Sequence, residues 1–426
     1  MRCSPEPGSS IRTSFLLTPP TEVQTRFHPV GQGLFHSGRI GTFEYVYDCG
    51  AKPANTINQV VKSYIKSLKE KPLDLLIISH LHEDHTSGLN TLLAAKPPDT
   101  VVLPYLTPFE RLLLILQSAN LGSWYHSFLT DPRTFLMNHR TRRVVFVGRG
   151  REGSGGDSDG PGRGTFPGEG TNQTVLKVDF DRFPGNDWLR DVMRKYGESL
   201  EDVFTMDHQK NLLLRWSGGD IWFFRFFTHE GKRFIKRGFF DCVKPILHTN
   251  NPRSITTAML VSLLQNSEGI DEMRKCYNLY SNNVNNTSLV TFHGPLFGAT
   301  SVSQATGFEL RHLEQRSYLS TGQVGYFLTG DLDFHSSAIW SKAFVHFASY
   351  FRLMSDALIP HHGSKENWNR SLLDKTRQET NWYVSASVGS QHDHPSMKVL
   401  GSIFKTGRRV FWCNEMHPAE TQHFLV

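Results

Sequence analysis

Long hydrophobic runs are missing from this chain of 426 residues, and no stretch approaches the ~18 consecutive apolar residues that a membrane helix needs. Pro5, Pro7, Pro19 and Pro20 stand where a secretory signal would carry an apolar core, so the expectation is a cytoplasmic protein without membrane contact. Cysteine is scarce as well. The five that occur, Cys3, Cys49, Cys242, Cys276 and Cys413, are scattered with no CxxC spacing, which argues against a disulfide framework and a thiolate zinc site and fits a reducing compartment. Strong charge of one sign is also absent. A net charge of +6 is mild at this length and permits an anionic substrate or a nucleic acid without demanding either.

The polar chemistry that is present gathers in one place. Leu75 to Ile78 read as a buried strand that stops at Ser79, and His80, His82, Glu83, Asp84 and His85 follow within six positions. Two histidines one residue apart on an extended segment point the same way and can bind one ion, while Asp84 and His85 can reach a second from the turn that follows. Imidazole with carboxylate suits zinc, and also manganese or iron.

The HxHxDH string after a strand resembles the signature of the metallo-β-lactamase superfamily, and later stretches resemble the hydrolase domain of DNA-uptake competence proteins of the ComEC type. The resemblance implies an α/β fold, an αββα sandwich of two mixed sheets flanked by helices, with a dinuclear metal site. It also implies roles for later residues. Asp331, at the end of Tyr326-Phe327-Leu328-Thr329-Gly330, is the expected bridging carboxylate, since two dications roughly 3.5 to 4 Å apart repel unless an anion lies between them. His361 and His362, in the HHGS string that ends at Ser364, supply one ligand to the second metal and one imidazole for substrate, in either order. His394, in a His-Asp-His-Pro turn, matches the family's G-H-P histidine and is a candidate general acid.

Around these, Asp48 in the string Tyr47-Asp48-Cys49-Gly50 is expected to brace the metal loop, with Asn286, Ser288 and Ser364 as further supporting candidates. Asn285-Asn286-Thr287-Ser288-Leu289-Val290 falls where other superfamily members carry a third histidine for the first metal, so either Asn286 or nearby His293 is the expected substitute. The sequence departs from the competence pattern at Leu34, His82 and Asn367. Superfamily members with di-iron redox centres carry Glu at the position of His82, so a histidine there favours hydrolysis.

Three regions follow from these motifs: residues 1–21, Pro- and Ser-rich and expected to be poorly ordered; residues 22–104 with 251–426, the metal-binding domain; and residues 105–250, an insertion. A helix is predicted from Asn55 to Leu68, another from Phe109 to Leu121, a glycine-rich loop over 148–170, and a β-hairpin from Leu212 to Phe227. Beyond the hairpin, Lys232, Arg233, Lys236 and Arg237 are interleaved with Phe234, Phe239 and Phe240. With Arg225 they form a candidate single-strand nucleic-acid surface.

The expected function is therefore a two-metal hydrolase, with Asp84, His394 and His361 at the chemistry and a phosphodiester as first substrate. A lactone, thioester or lipid phosphodiester is the alternative within enzymes. A non-catalytic regulatory protein that holds a protein partner through the insertion is the alternative outside them.

Overall fold

The structure is a computed structural model and describes residues 22–53, 56–117, 122–149, 177–180, 183–216, 219–229, 237–265, 267–277, 288–296 and 299–425. The expectations for residues 1–21, Asn55, most of the 148–170 loop, Lys232, Arg233, Lys236 and Asn286 lie outside these residues, as does that for the side chain of Arg237.

Two runs of parallel strands form the framework. Phe43–Cys49, Leu73–Ile77, Pro98–Pro104, Arg143–Gly148 and Val203–Asp207 pair side by side in one. Tyr326–Leu328, Asp356–Leu358, Asn381–Ser385 and Val410–Cys413 pair in the other. Glu22–Phe27 lies between Phe35–Ile40 and Ala419–Leu425 and stitches the halves together at one side. Gly219–Phe227 and Val290–Pro295 join the sheet further on.

Alternation along these strands explains the layering. In Phe43–Cys49 every residue is buried, but Tyr45 and Tyr47 enter the core between the sheets while Val46 enters a second core under the helices Ile57–Leu68 and Pro108–Gln117. Val144 and Phe146 split from Val145 and Val147 in the same way, and Trp382 and Val384 split from Tyr383 toward a third core. Three cores require four layers. The fold is thus the expected αββα sandwich, with additional elements.

The helix expected from Asn55 runs Ile57–Leu68, and the one expected from Phe109 runs Pro108–Gln117. The hairpin is there as Asn211–Trp216 against Gly219–Phe227. Residues 105–250 are nonetheless woven into the sheet through Arg143–Gly148, Val203–Asp207 and Gly219–Phe227. Two expectations are corrected. Cys242 and Cys276 form a disulfide, because the helices Arg237–Ile246 and Ser267–Tyr277 pack side by side and bring Cα atoms 34 positions apart in sequence to 5.7 Å. Arg225 does not face a ligand: it is buried, donates to Gln209 O and Asn211 Oδ1 and lies over the Tyr350 ring, while Phe239 is in the core. Among the described residues no helix is long and apolar enough to cross a membrane.

Between the sheets lies a buried polar cluster centred on Asp356. Its carboxylate accepts from Tyr383 OH (2.8 Å), Thr421 Oγ1 (3.2 Å) and Ser355 Oγ (2.6 Å), and His423 Nε2 stands 3.1 Å away. Burial alone would raise this carboxyl, yet the hydrogen bond and charge of His423 and the hydroxyls of Ser355 and Tyr383 hold it below its ordinary value. A carboxyl so depressed contributes stability above its unfolded pKa of about 4, and the contribution is lost as pH falls through the lower folded value. Asp356→Asn should therefore destabilise the protein by about 3–5 kcal/mol at neutral pH, as for a buried pair that loses one partner. Denaturant unfolding of both proteins from pH 7 downward should show the difference steady to about pH 4 and shrinking below it. A difference that instead grows on acidification would contradict this assignment.

Candidate metal centre

Each strand that points its carboxyl end at the centre delivers part of it. His80 and His82 follow Leu73–Ile77, and the short helix Glu83–Thr86 presents Asp84 and His85. Asp331 follows Tyr326–Leu328, and His361 and His362 follow Asp356–Leu358. Glycines allow these turns to meet. A Cβ on Gly50 would stand 2.5 Å from the carbonyl of Asp84, so the Asp48-Cys49-Gly50 corner can lie directly against the metal loop. His361, His362 and Gly363 all have positive φ (46°, 54° and 82°), a costly conformation for two histidines that persists where the surroundings enforce it.

The two oxygens of Asp331 divide the imidazoles. Oδ1 lies 3.3 Å from His85 Nε2 and 4.0 Å from His362 Nε2, and the latter nitrogen is 3.4 Å from Asp84 Oδ2. Oδ2 lies 3.6 Å from His80 Nε2 and 3.5 Å from His361 Nε2. By mutual distances within 4.8 Å, Asp84, His85, Asp331 and His362 form one potential cation group and His80, His82 and Asp84 another. His361 falls outside both by that measure, but it approaches the same carboxylate oxygen as His80.

The outer nitrogens are tied down. His85 Nδ1 donates to Asp48 Oδ2 (2.7 Å), His361 Nδ1 to Asn367 Oδ1 (2.8 Å) and His362 Nδ1 to the Ser385 carbonyl (2.8 Å). Ser79 Oγ gives its proton to Asp48 Oδ2 (2.6 Å) and so accepts from His80 Nδ1 (2.9 Å). These bonds leave Nε2 of each ring as the inward lone pair. Nε2 of His80, His82, His85 and His362 is buried without a hydrogen-bond partner. An orphaned buried polar atom costs roughly 1–3 kcal/mol, so three gathered on the Asp331 carboxylate and a fourth beside His80 and Asp84 call for a cation. The donor set fits divalent transition metals.

For two of the four rings electrostatics favour the lone pair directly. Burial, then the neighbouring His85, keeps His80 well below its ordinary value, and burial brings His82 down to about 4, so both keep lone pairs at neutral pH. Burial works against charge on His85 and His362 too, but Asp331, with Asp48 for the former and Asp84 for the latter, pushes both up. His394 is half-buried, 5.7 Å from the His361 ring and 6.4 Å from that of His362. Burial and then those two rings bring it down to about 4.

Ser288 accepts from the Asp331 N–H (3.2 Å), whereas the Ser364 hydroxyl accepts from the Glu366 N–H and only its backbone N–H reaches His361, at the carbonyl (2.9 Å). The His293 alternative is corrected. That ring lies between the sheets, 3.0 Å from Tyr45 OH, with Trp222 Nε1 donating to its other nitrogen, because the strand Val290–Pro295 turns it away from the centre. Asn367, Ser79 and Ser385 are supporting residues that the motifs did not single out. Asn367 was visible only as a departure from a pattern, and Ser385 acts through its backbone, which carries no sequence signal.

Residues 39–174 match the family described as the Metallo-beta-lactamase superfamily, a stretch that includes Asp48 and the His80–His85 loop and ends before Asp331. The chain thus carries a metallo-β-lactamase superfamily domain. No curated protein matches it. Among solved structures it is similar to the metallo-beta-lactamase fold protein YhfI from Bacillus subtilis at 9% identity and a TM-score of 0.33, over 92% of this chain and 97% of that one. No functional statement follows from a likeness of that degree.

Asp48 offers a direct test of the outer support. Asp48→Asn removes the anionic acceptor of the His85 Nδ1–H and should weaken metal affinity by roughly 10–100-fold, read by competition with a chromophoric chelator. An affinity equal to wild type would show that Asp48 is only a turn residue.

Proposed function

We propose that this protein is a metal-dependent hydrolase with a dinuclear centre, zinc in the first place, acting on a phosphodiester of a nucleic acid or nucleotide. The observation that carries the reading is the convergence of four orphaned Nε2 atoms: those of His80, His85 and His362 surround Asp331, and that of His82 joins His80 and Asp84. In this reading His80, His82 and His361 would hold one ion and Asp84, His85 and His362 the other, with the Asp331 carboxylate available to both groups. His361 then fills the place of the missing third histidine. Bound there, divalent ions would supply Lewis-acid activation of water and of the phosphorus centre.

The chain's own groups do the rest. Asp84, ionised at neutral pH through His362 and His85, orients the attacking water, and it is well placed for this beside both ligand groups. His394 is uncharged at neutral pH, so it does not serve as the general acid expected from the sequence, but it can offer one ring N–H as a hydrogen bond to the leaving-group oxygen. The choice of phosphodiester rests on the resemblance of the HHGS and His-Pro motifs to the competence-type hydrolase and on the mildly positive charge.

Hydrolysis of an activated phosphodiester by two variants tests the division of labour. Asp331→Asn removes the charge between the ions and should lose metal and activity together. His394→Ala should keep its metals and slow the reaction by on the order of ten- to ten-thousandfold. Full activity in Asp331→Asn would refute the dinuclear reading, and an unaffected His394→Ala would remove only the hydrogen bond to the leaving group.

A further inference from the structure

The metal loop is held from one side by Asp48 and Ser79, within the sheet. From the other side it meets the helix Ser123–Thr130, which belongs to residues 105–250 and carries no ligand. Tyr125 on that helix is buried, and its hydroxyl donates to the backbone carbonyl of Leu81 at 2.5 Å. Leu81 is the residue between His80 and His82. A peptide plane fixed at this point fixes the relative aim of the two rings on either side of it, whose centroids are 5.0 Å apart and nearly perpendicular at 80°.

The same hydroxyl lies beside Thr86, whose own hydroxyl donates to the His82 carbonyl at 2.8 Å. Tyr125 therefore touches the loop both before and after His82. The helix that carries it is itself braced: Tyr125, Phe128 and Leu129 share a core with Leu81, Leu112 and Leu116.

We infer that Tyr125 is a positioning residue for the ion served by His80 and His82, so that residues 105–250 help to build the metal centre. This rests on the metal reading above. A backbone carbonyl is an acceptor that no substitution at Leu81 can remove, so the donor is where the claim can be tested. Groups that orient first ligands without touching the ion affect metal affinity by about 10–100-fold when lost.

The experiment is a calorimetric titration of zinc into metal-free wild type, Tyr125→Phe and Phe128→Leu, with the denaturant midpoint of each metal-free protein measured alongside. Tyr125→Phe keeps the ring and removes the hydroxyl. One of its two zinc steps should weaken by about 10–100-fold while the other is unmoved. Phe128→Leu disturbs the packing of the same helix and leaves the hydroxyl, so its midpoint should fall with both zinc steps intact. Wild-type zinc affinity in Tyr125→Phe would overturn the inference while leaving the metal reading in place. Equal weakening in Phe128→Leu would also overturn it, since packing and not the hydroxyl would then be the cause. A wild-type protein that takes up no zinc would overturn both readings together.

Discussion

Buried imidazoles are expensive unless both ring nitrogens have partners, and this constraint organises the molecule around Asp331. Four rings direct an unpartnered Nε2 inward while their outer surroundings are those of the protein interior. A low-dielectric interior makes such nitrogens costly when empty and strong as ligands. The fold fixes the outer side of His85, His80, His361 and His362 separately, with a carboxylate, a hydroxyl, an amide and a main-chain carbonyl in that order. No two of these supports have the same chemistry, so the centre depends on several strands holding their positions at once.

The sandwich supplies that rigidity. Both runs of parallel strands end at the centre, and their burial on both faces leaves the strand ends little freedom. Tyr47 ties the runs together directly below the metal loop, donating toward the carbonyls of Leu289 and Leu328. Left-handed backbone at Asp48, Gly330, His361 and His362 is concentrated at the same level, which is where tightly packed strand ends must turn sharply.

Much of this was legible in the sequence, for a definite reason. Ligands cluster where apolar strands end, so the shift from Leu75–Ile78 to His80–His85, and from Leu358–Ile359 to His361–His362, marks the centre without any structure. Outer supports are harder to see. Ser385 acts through a carbonyl and Asn367 through one amide, and neither has a period or spacing that singles it out. His293 misled because its neighbourhood in sequence is right, while strand direction, which spacing cannot reveal, sends it between the sheets. The disulfide escaped because it joins two helices whose packing is a tertiary fact. The long hairpin Thr300–Glu309 with Glu314–Gln323 escaped because its alternation of small polar residues is weakly apolar on either face.

The central claim is that the converging nitrogens hold ions, and the most direct measurement is the metal content of the purified wild-type chain by elemental analysis after equilibration with zinc or manganese at neutral pH. The account predicts about two ions per chain, the number for which the imidazoles and carboxylates on the two sides of Asp331 provide ligands. A chain that retains none would contradict it.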